Sequence, residues 1–94
     1  MYQIIDGPGT GKTSRLLLLA KEMNLPLICA NPYAMREKAH AYGIVGLELY
    51  SYYDATEGDL TPFKKGYLID ELTAFVEYTM HNNKMCGFSL SKDE

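Results

Sequence analysis

The sequence of 94 residues lacks the features that mark membrane and secreted proteins. It contains no apolar run of the roughly 20 residues that a membrane-spanning helix needs, so no membrane partner is expected. Its N-terminus has no basic region followed by an apolar core and a cleavage site, so we expect a cytoplasmic location. The formal net charge of −3 gives no general attraction to nucleic acid. A local strip of basic residues could still bind it.

Cysteine is also scarce, and the chain is short. Cys29 and Cys86 have neither C-x-x-C spacing nor a histidine at metal-ligand spacing, which argues against a metal site formed by them. Both lie in apolar segments that we predict to be strands, so we expect reduced, buried thiols. A chain of this length forms one domain, residues 1–94, with a small core.

The glycine-rich stretch GPGTGKT, residues 7–13, follows a short apolar segment and precedes an apolar helix. We predict a strand over residues 2–5 and a helix from about Lys12 to Met23. Glycines let successive backbone N–H groups point at a polyphosphate, and the helix N-terminus adds partial positive charge. Lys12 would reach the β- and γ-phosphates, and the Thr13 hydroxyl would bind Mg²⁺. The predicted nucleotide-binding residues are Gly7, Pro8, Gly9, Thr10, Gly11, Lys12, Thr13 and Ser14.

One position departs from the full signature G-x-x-x-x-G-K-[ST], because Asp6 stands where the first glycine is expected. An aspartate there can cap N–H groups of the loop with its carboxylate. Its charge would repel the γ-phosphate unless the side chain turns away or pairs with Lys12. The alternative is a chance glycine-rich turn, but the strand, loop and helix context favours a phosphate-binding loop.

The segment YLIDE, residues 67–71, is a short apolar strand that ends in two carboxylates. At the C-terminal end of a parallel strand beside the loop, Asp70 can hold Mg²⁺ through its water shell. Glu71 can polarise the water that attacks the γ-phosphate. Alone, the pair is equally explained as negative charge at a helix N-terminus. Together with the loop, it predicts Lys12 and Glu71 as catalytic residues, and Thr13 and Asp70 as magnesium ligands.

The remaining segments alternate between strand and helix patterns. We predict strands over residues 27–30 and 85–90, and helices over residues 32–43 and 72–81. Residues 44–60 have a weaker pattern, which allows a short strand and then predicts an acidic loop from residue 54 to residue 59. The tyrosines of residues 50–53 could stack on a base, but a half-buried place at a sheet edge is commoner.

This order of elements resembles the nucleotide-binding core of P-loop ATPases, in the branch that includes AAA+ proteins and superfamily one helicases. GPGTGKT is similar to the loop of such helicases, where the first glycine is often replaced, and residues 67–71 resemble their Walker B strand. Residues 27–32 look like the next strand and loop, and residues 50–52 fall where a short DNA-contacting motif would lie. The small size is similar to that of phage P-loop proteins.

The resemblance covers nearly the whole chain and implies an α/β fold with three α/β/α layers. It implies a minimal parallel sheet of four to five strands in the order 1-4-3-2, ignoring the weak middle strand. It also implies a polar sensor residue, Ser89 or Ser91, at the end of the last strand.

These residues favour binding of ATP or another NTP, with slow Mg²⁺-dependent hydrolysis at the β–γ bond. The alternatives are a non-hydrolysing nucleotide-binding module for regulation or assembly, and a nucleic-acid-binding, helicase-like core. The sequence contains no Asn-Lys-x-Asp stretch of the kind that recognises guanine, and it does not identify the base of the nucleotide. Neither Arg15 nor Arg36 is expected to reach its own phosphate, so we expect an arginine from a second copy in a homo-oligomer or from a larger partner protein.

Overall fold

The structure is a computed structural model that describes residues 1–5, 7, 9 and 11–91. Within these residues the protein has an α/β fold, built on a small open sheet of three parallel strands. The strands are β1 (Leu27–Cys29), β2 (Leu49–Ser51) and β3 (Leu68–Ile69), and β1 lies in the middle. Leu27 pairs with Leu49 on one side and with Leu68 on the other, so all three strands end at the same edge.

Helices connect the strands, and their ends follow from identifiable sequence signals. They are α1 (Lys12–Met23), α2 (Pro32–Ala41), α3 (Tyr52–Glu57), a 3₁₀ helix (Thr61–Phe63) and α4 (Leu72–Thr79). Asn31 caps α2 by accepting a hydrogen bond from the Ala34 N–H at 3.1 Å, and Pro32 takes the first helical position. Among the described residues, no helix is long and apolar enough to cross a membrane.

The hydrophobic core lies between α1, α2 and one face of the sheet. Strand side chains alternate between faces, so Leu27 and Cys29 point to the same side as Leu49 of β2. Leu17 of α1 packs into this cluster and is fully buried. Full burial of one such side chain stabilises the fold by about 1.5–3 kcal/mol. The other core residues are Ala20, Met35, Ala39, Ile44 and Leu47.

The opposite face of the sheet is less completely covered. It carries Ile28 and Ile69, which line an apolar cleft of about 180 Å³ together with residues of α3, the 3₁₀ helix and α4. No residue of α4 is fully buried. Helices therefore lie on both faces of the sheet, but only one face has a closed core.

Two predicted strands are wrong for this structure. Residues 2–5 and 85–90 form no strand, and Ile5 and Phe88 are 75% and 68% exposed. The sheet thus has three strands within the described residues, not the four to five of the predicted order. The predicted neighbours β1 and β3 do pair, and the weak middle strand, β2, occupies the other side of β1. Short strands are marginal unless packing covers them, and neither segment enters the core.

Other differences are local. Residues 54–57 belong to α3 and not to an acidic loop, because Ser51 and Asp54 form a reciprocal capping box. The Ser51 hydroxyl accepts from the Asp54 N–H at 3.0 Å, and the Asp54 carboxylate accepts from the Ser51 N–H at 3.1 Å. The prediction of a buried thiol is confirmed for Cys29 and wrong for Cys86, which is exposed.

Candidate functional site

The C-terminal edge of the sheet brings the glycine-rich loop next to the two carboxylates. Lys12, the first residue of α1, donates from Nζ to Oε1 of Glu71 at 3.1 Å, although the two residues are 59 positions apart. Asp70 and Glu71 directly follow β3, and the Asp70 N–H still bonds to the Ile28 carbonyl at 2.9 Å. The two residues predicted to be catalytic therefore lie side by side.

The loop reaches α1 through two glycines in the left-handed conformation. Gly9 has φ 76° and Gly11 has φ 80°, which residues with a Cβ rarely adopt. Gly11 is also the N-cap of α1 and offers no side chain to cap the helix. A helix start of this kind can present its first N–H groups to an anion. Ser14 bonds within the loop, since its hydroxyl donates to the Gly11 carbonyl at 2.9 Å.

The structure places the other predicted loop residues unevenly. Thr13 is partly buried in the first turn of α1, and Gly7 is exposed ahead of the helix. Asp6, Pro8 and Thr10 lie outside the described residues, so their predicted roles in the loop stay predictions.

The N-terminal segment lies alongside α1. The Tyr2 hydroxyl donates to Sδ of Met23 at 3.9 Å, at the end of α1 that precedes β1. Lys12, at the other end of α1, contacts Glu71 beyond the end of β3. Tyr2 and Lys12 therefore lie near opposite ends of α1, and residues 2–5 do not join the sheet.

The Asp70 carboxyl is half-buried at this edge. Burial raises its pKa above the ordinary value, the neighbouring Glu71 charge raises it further, and Lys12 and Lys38 act in the opposite direction. An ionised carboxylate that is poorly hydrated gains most from a nearby cation. Asp70 is therefore suited to binding a cation.

The protein side chains at this edge can bind a magnesium ion only if the phosphates of a nucleotide supply some of its ligands. Among the residues that the structure describes, no group of three or more His, Cys, Asp or Glu side chains is placed to hold a metal. Mg²⁺ at phosphate-transfer sites takes one or two carboxylates and completes its shell with water and phosphate oxygens. The carboxylate of Asp70 and the hydroxyl of Thr13 are hard oxygen donors of the kind that this shell requires.

Glu71 has an unusual backbone conformation. Its φ of 59° and ψ of 69° are left-handed, a region that costs a residue with a side chain of order 1–3 kcal/mol. It is the N-cap of α4, but its carboxylate bonds to Lys12 and makes no cap hydrogen bond to the helix. The surroundings must hold this turn in place.

Tyr52 is the residue of this site that the sequence analysis missed. Its ring is 7% exposed, and its hydroxyl donates to the carbonyls of Asp70 at 3.0 Å and Glu71 at 3.4 Å. Tyr50 is half-buried on the edge strand β2, as the sequence favoured, whereas Tyr53 is 61% exposed. One signal could have revealed Tyr52: it follows a parallel strand, so it must lie at the edge where Asp70 lies.

The predicted sensor residues are not part of the site. Ser89 and Ser91 are exposed in the irregular chain that follows α4, and no strand places them at the sheet edge. Their prediction depended on the strand over residues 85–90, which is absent.

Comparison with known proteins adds no relative: no family model matches the chain, and neither a curated protein nor a solved structure matches it. The fold is therefore assigned as a minimal α/β fold from its own architecture. A function has to be argued from the contacts at the sheet edge.

Proposed function

We propose that this protein binds ATP or another NTP together with Mg²⁺ through residues 7–14, and hydrolyses it slowly at the β–γ bond. The observation that carries the proposal is the 3.1 Å contact between Lys12 and Glu71. It supports a common site for a phosphate-binding lysine and the carboxylates that follow β3. On this proposal the fold is a minimal P-loop fold, and the protein works in the cytoplasm, where nucleotide and Mg²⁺ are available.

Ligand binding exchanges the partner of Lys12. In the ligand-free protein the lysine ammonium is neutralised by Glu71, and a triphosphate offers it several charged oxygens in its place. The side chains of the pair are 28% and 52% exposed, so breaking the pair costs little. Glu71 is then released to orient a water molecule towards the γ-phosphate.

Asp70 and Thr13 hold the metal on this proposal. Mg²⁺, when bound, neutralises charge on the β- and γ-phosphates. Asp70 is half-buried, and its N–H continues the hydrogen bonding between β1 and β3. The backbone that carries its carboxylate is therefore held in place. Thr13 lies in the first turn of α1, directly after Lys12, and its hydroxyl would be the second oxygen ligand.

Turnover by a single copy should be slow. The Arg36 side chain is held by the chain that precedes β2, because its Nη1 donates to the Leu47 carbonyl at 3.3 Å. Arg15 is exposed, one turn beyond Lys12 on α1. We propose that an arginine comes from a second copy or from a larger partner protein, so phosphate release per protomer should rise with protein concentration or with added partner.

Binding without turnover is the second candidate. It follows from the same contact if Glu71 keeps its bond to Lys12 when the nucleotide binds, because Glu71 then orients no water. Nucleic-acid binding is not proposed, because Tyr52 of the candidate DNA-contacting motif is buried against α4.

The test is thermal unfolding with MgATP, with ATP in EDTA and without ligand, followed by a phosphate-release assay. A ligand at about 100 times its Kd stabilises the protein by about 2.7 kcal/mol. Lys12→Ala should lose this gain, and Lys65→Ala, which removes an equal charge from an exposed position, should keep it. Equal stabilisation of all three proteins would exclude the loop as the binding site. Stabilisation without phosphate release would favour the second candidate.

A further inference from the structure

We propose that Tyr52 is a positioning residue for the two carboxylates: its hydroxyl holds the backbone at Asp70 and Glu71 in the conformation that a bound metal and nucleotide require. This inference rests on the proposed function for the identity of the ligand, MgATP. Its observation is independent, because Tyr52 belongs to neither the loop nor β3.

The contacts of Tyr52 join two strand ends. It is the first residue of α3, directly after β2, and its hydroxyl bonds to the Asp70 and Glu71 carbonyls at 3.0 and 3.4 Å. Its ring packs edge-on against Phe75, with centroids 5.3 Å apart, and lies 5.8 Å from the ring of Tyr78. One side chain therefore contacts both α4 and the backbone that precedes it.

The turn at Asp70 and Glu71 needs such support. The last strand pairing in this direction is the bond from the Asp70 N–H to the Ile28 carbonyl, so the carbonyls that follow lie beyond the ladder. Glu71 is then held in a left-handed conformation that an unsupported chain would leave. Two side-chain contacts oppose this relaxation: the ion pair with Lys12 and the hydroxyl of Tyr52. The Glu71 carbonyl also accepts a backbone hydrogen bond from the Phe75 N–H of α4, at 3.1 Å.

The ion pair with Lys12 and the Tyr52 hydrogen bonds respond differently when a nucleotide binds. The ion pair is given up, because Lys12 turns to the phosphates, whereas the tyrosine contact remains. The phenol of a tyrosine is protonated at neutral pH, so the Tyr52 hydroxyl can donate to these carbonyls. In the nucleotide complex Tyr52 is thus the side-chain contact that still holds the backbone at Asp70 and Glu71.

The experiment compares Tyr52→Phe with Tyr53→Phe, a matched loss of a hydroxyl from a neighbouring exposed ring. The Kd of ATP is measured by calorimetry with Mg²⁺ and with EDTA, well below the melting temperature. For Tyr52→Phe we expect the Kd with Mg²⁺ to rise about five- to tenfold and the Kd in EDTA to be unchanged. Tyr53→Phe should resemble the wild type in both conditions.

Three outcomes would overturn the inference. An unchanged Mg²⁺ effect in Tyr52→Phe would show that the hydroxyl does not position Asp70, and the proposed function would stand. An equal loss with and without Mg²⁺ would show a merely structural role. If the wild type binds no ATP in either condition, the proposed function itself fails and the positioning role fails with it.

A measurement on the wild type covers the case in which Tyr52→Phe does not fold. Addition of Mg²⁺ to the ATP complex should shift the assigned ring resonances of Tyr52 and leave those of Tyr53 in place. A spectrum in which neither ring responds would contradict the inference.

Discussion

The two faces of the sheet differ in how completely they are packed. Between the sheet and helices α1 and α2, Leu17 and Leu27 are fully buried in a continuous apolar cluster. On the other face, α4 has no fully buried residue, and a cleft of about 180 Å³ lies between the strands and the aromatic rings. The first face therefore supplies most of the stability, and the second holds the turn that carries Asp70 and Glu71.

This division separates stability from the candidate chemistry. Aromatic contacts such as that between Tyr50 and Phe63, with centroids 5.0 Å apart, order the second face without filling it. Sparsely packed elements open at lower free energy than a closed core does. We expect the turn after β3 to respond to ligands while the core stays fixed.

The largest expected effect is that of opening the closed face. Leu17→Ala should reduce the free energy of unfolding by about 2–5 kcal/mol, because the neighbours of a fully buried leucine cannot fill the space it leaves. Leu60→Ala removes an equal volume from the rim of the cleft, where the leucine is 55% exposed, and should cost less than about 1 kcal/mol. Urea unfolding measures both. Equal losses would mean that the two faces contribute alike.

The two thiols test whether the core face is closed, because Cys29 lies in the core and Cys86 lies in the exposed chain after α4. Cys86 should react with a thiol reagent in the native protein, whereas Cys29 should react at least about a hundredfold more slowly, as the core must open first. Burial, together with the nearby Asp70 charge, raises the pKa of the Cys29 thiol to about 11, which further suppresses its thiolate. Rates are followed by absorbance, with Cys86→Ser as the control. Two equally fast thiols would show that the core is open.

Replacement of Glu71 should affect turnover more than stability. Glu71→Gln should leave nucleotide binding intact and slow phosphate release about 100-fold, since an amide cannot polarise the attacking water. The pair with Lys12 is partly exposed, so the free energy of unfolding should change by less than about 1 kcal/mol. Phosphate release and thermal unfolding are measured on the same samples. Turnover at the wild-type rate would make Glu71 a structural residue.

The smallest expected effect is the dependence of stability on pH through Asp70. Its native pKa is raised above 3.8, so the folded state holds the proton more tightly than the unfolded chain does. Stability therefore falls as the pH rises from about that value through the native pKa, and the ionised group remains a constant cost above it.

Asp70→Asn removes this cost, so the ligand-free variant should melt higher than the wild type at pH 7 and no higher in acid. The same variant should lose the Mg²⁺ dependence of ATP binding. Melting curves across pH, with Glu57→Gln as a control at an exposed carboxylate, measure the difference. A variant less stable than the wild type at pH 7 would show that ionised Asp70 stabilises the fold.

Local signals predicted much of this structure because their physical causes are local. The helix α1 and the cap of α2 by Asn31 follow from the residues beside them, and both are confirmed. The capping box of Ser51 and Asp54 is a local signal of the same kind, and it starts α3 although the acidic composition of residues 54–59 is typical of a loop. The strands over residues 2–5 and 85–90 were wrong because an apolar pattern marks what can be buried, and only packing decides what is buried.

The sequence by itself determined the glycine-rich loop, the lysine that opens α1 and the two carboxylates that end β3, since each depends on the order of neighbouring residues. Only the tertiary structure decided that Lys12 meets Glu71 across 59 positions, that β1 separates β2 from β3, and that the Tyr52 hydroxyl bonds to the backbone after β3. These contacts depend on how parallel strands are aligned. That alignment is set by the fit of alternate side chains into one shared core, which no single segment encodes.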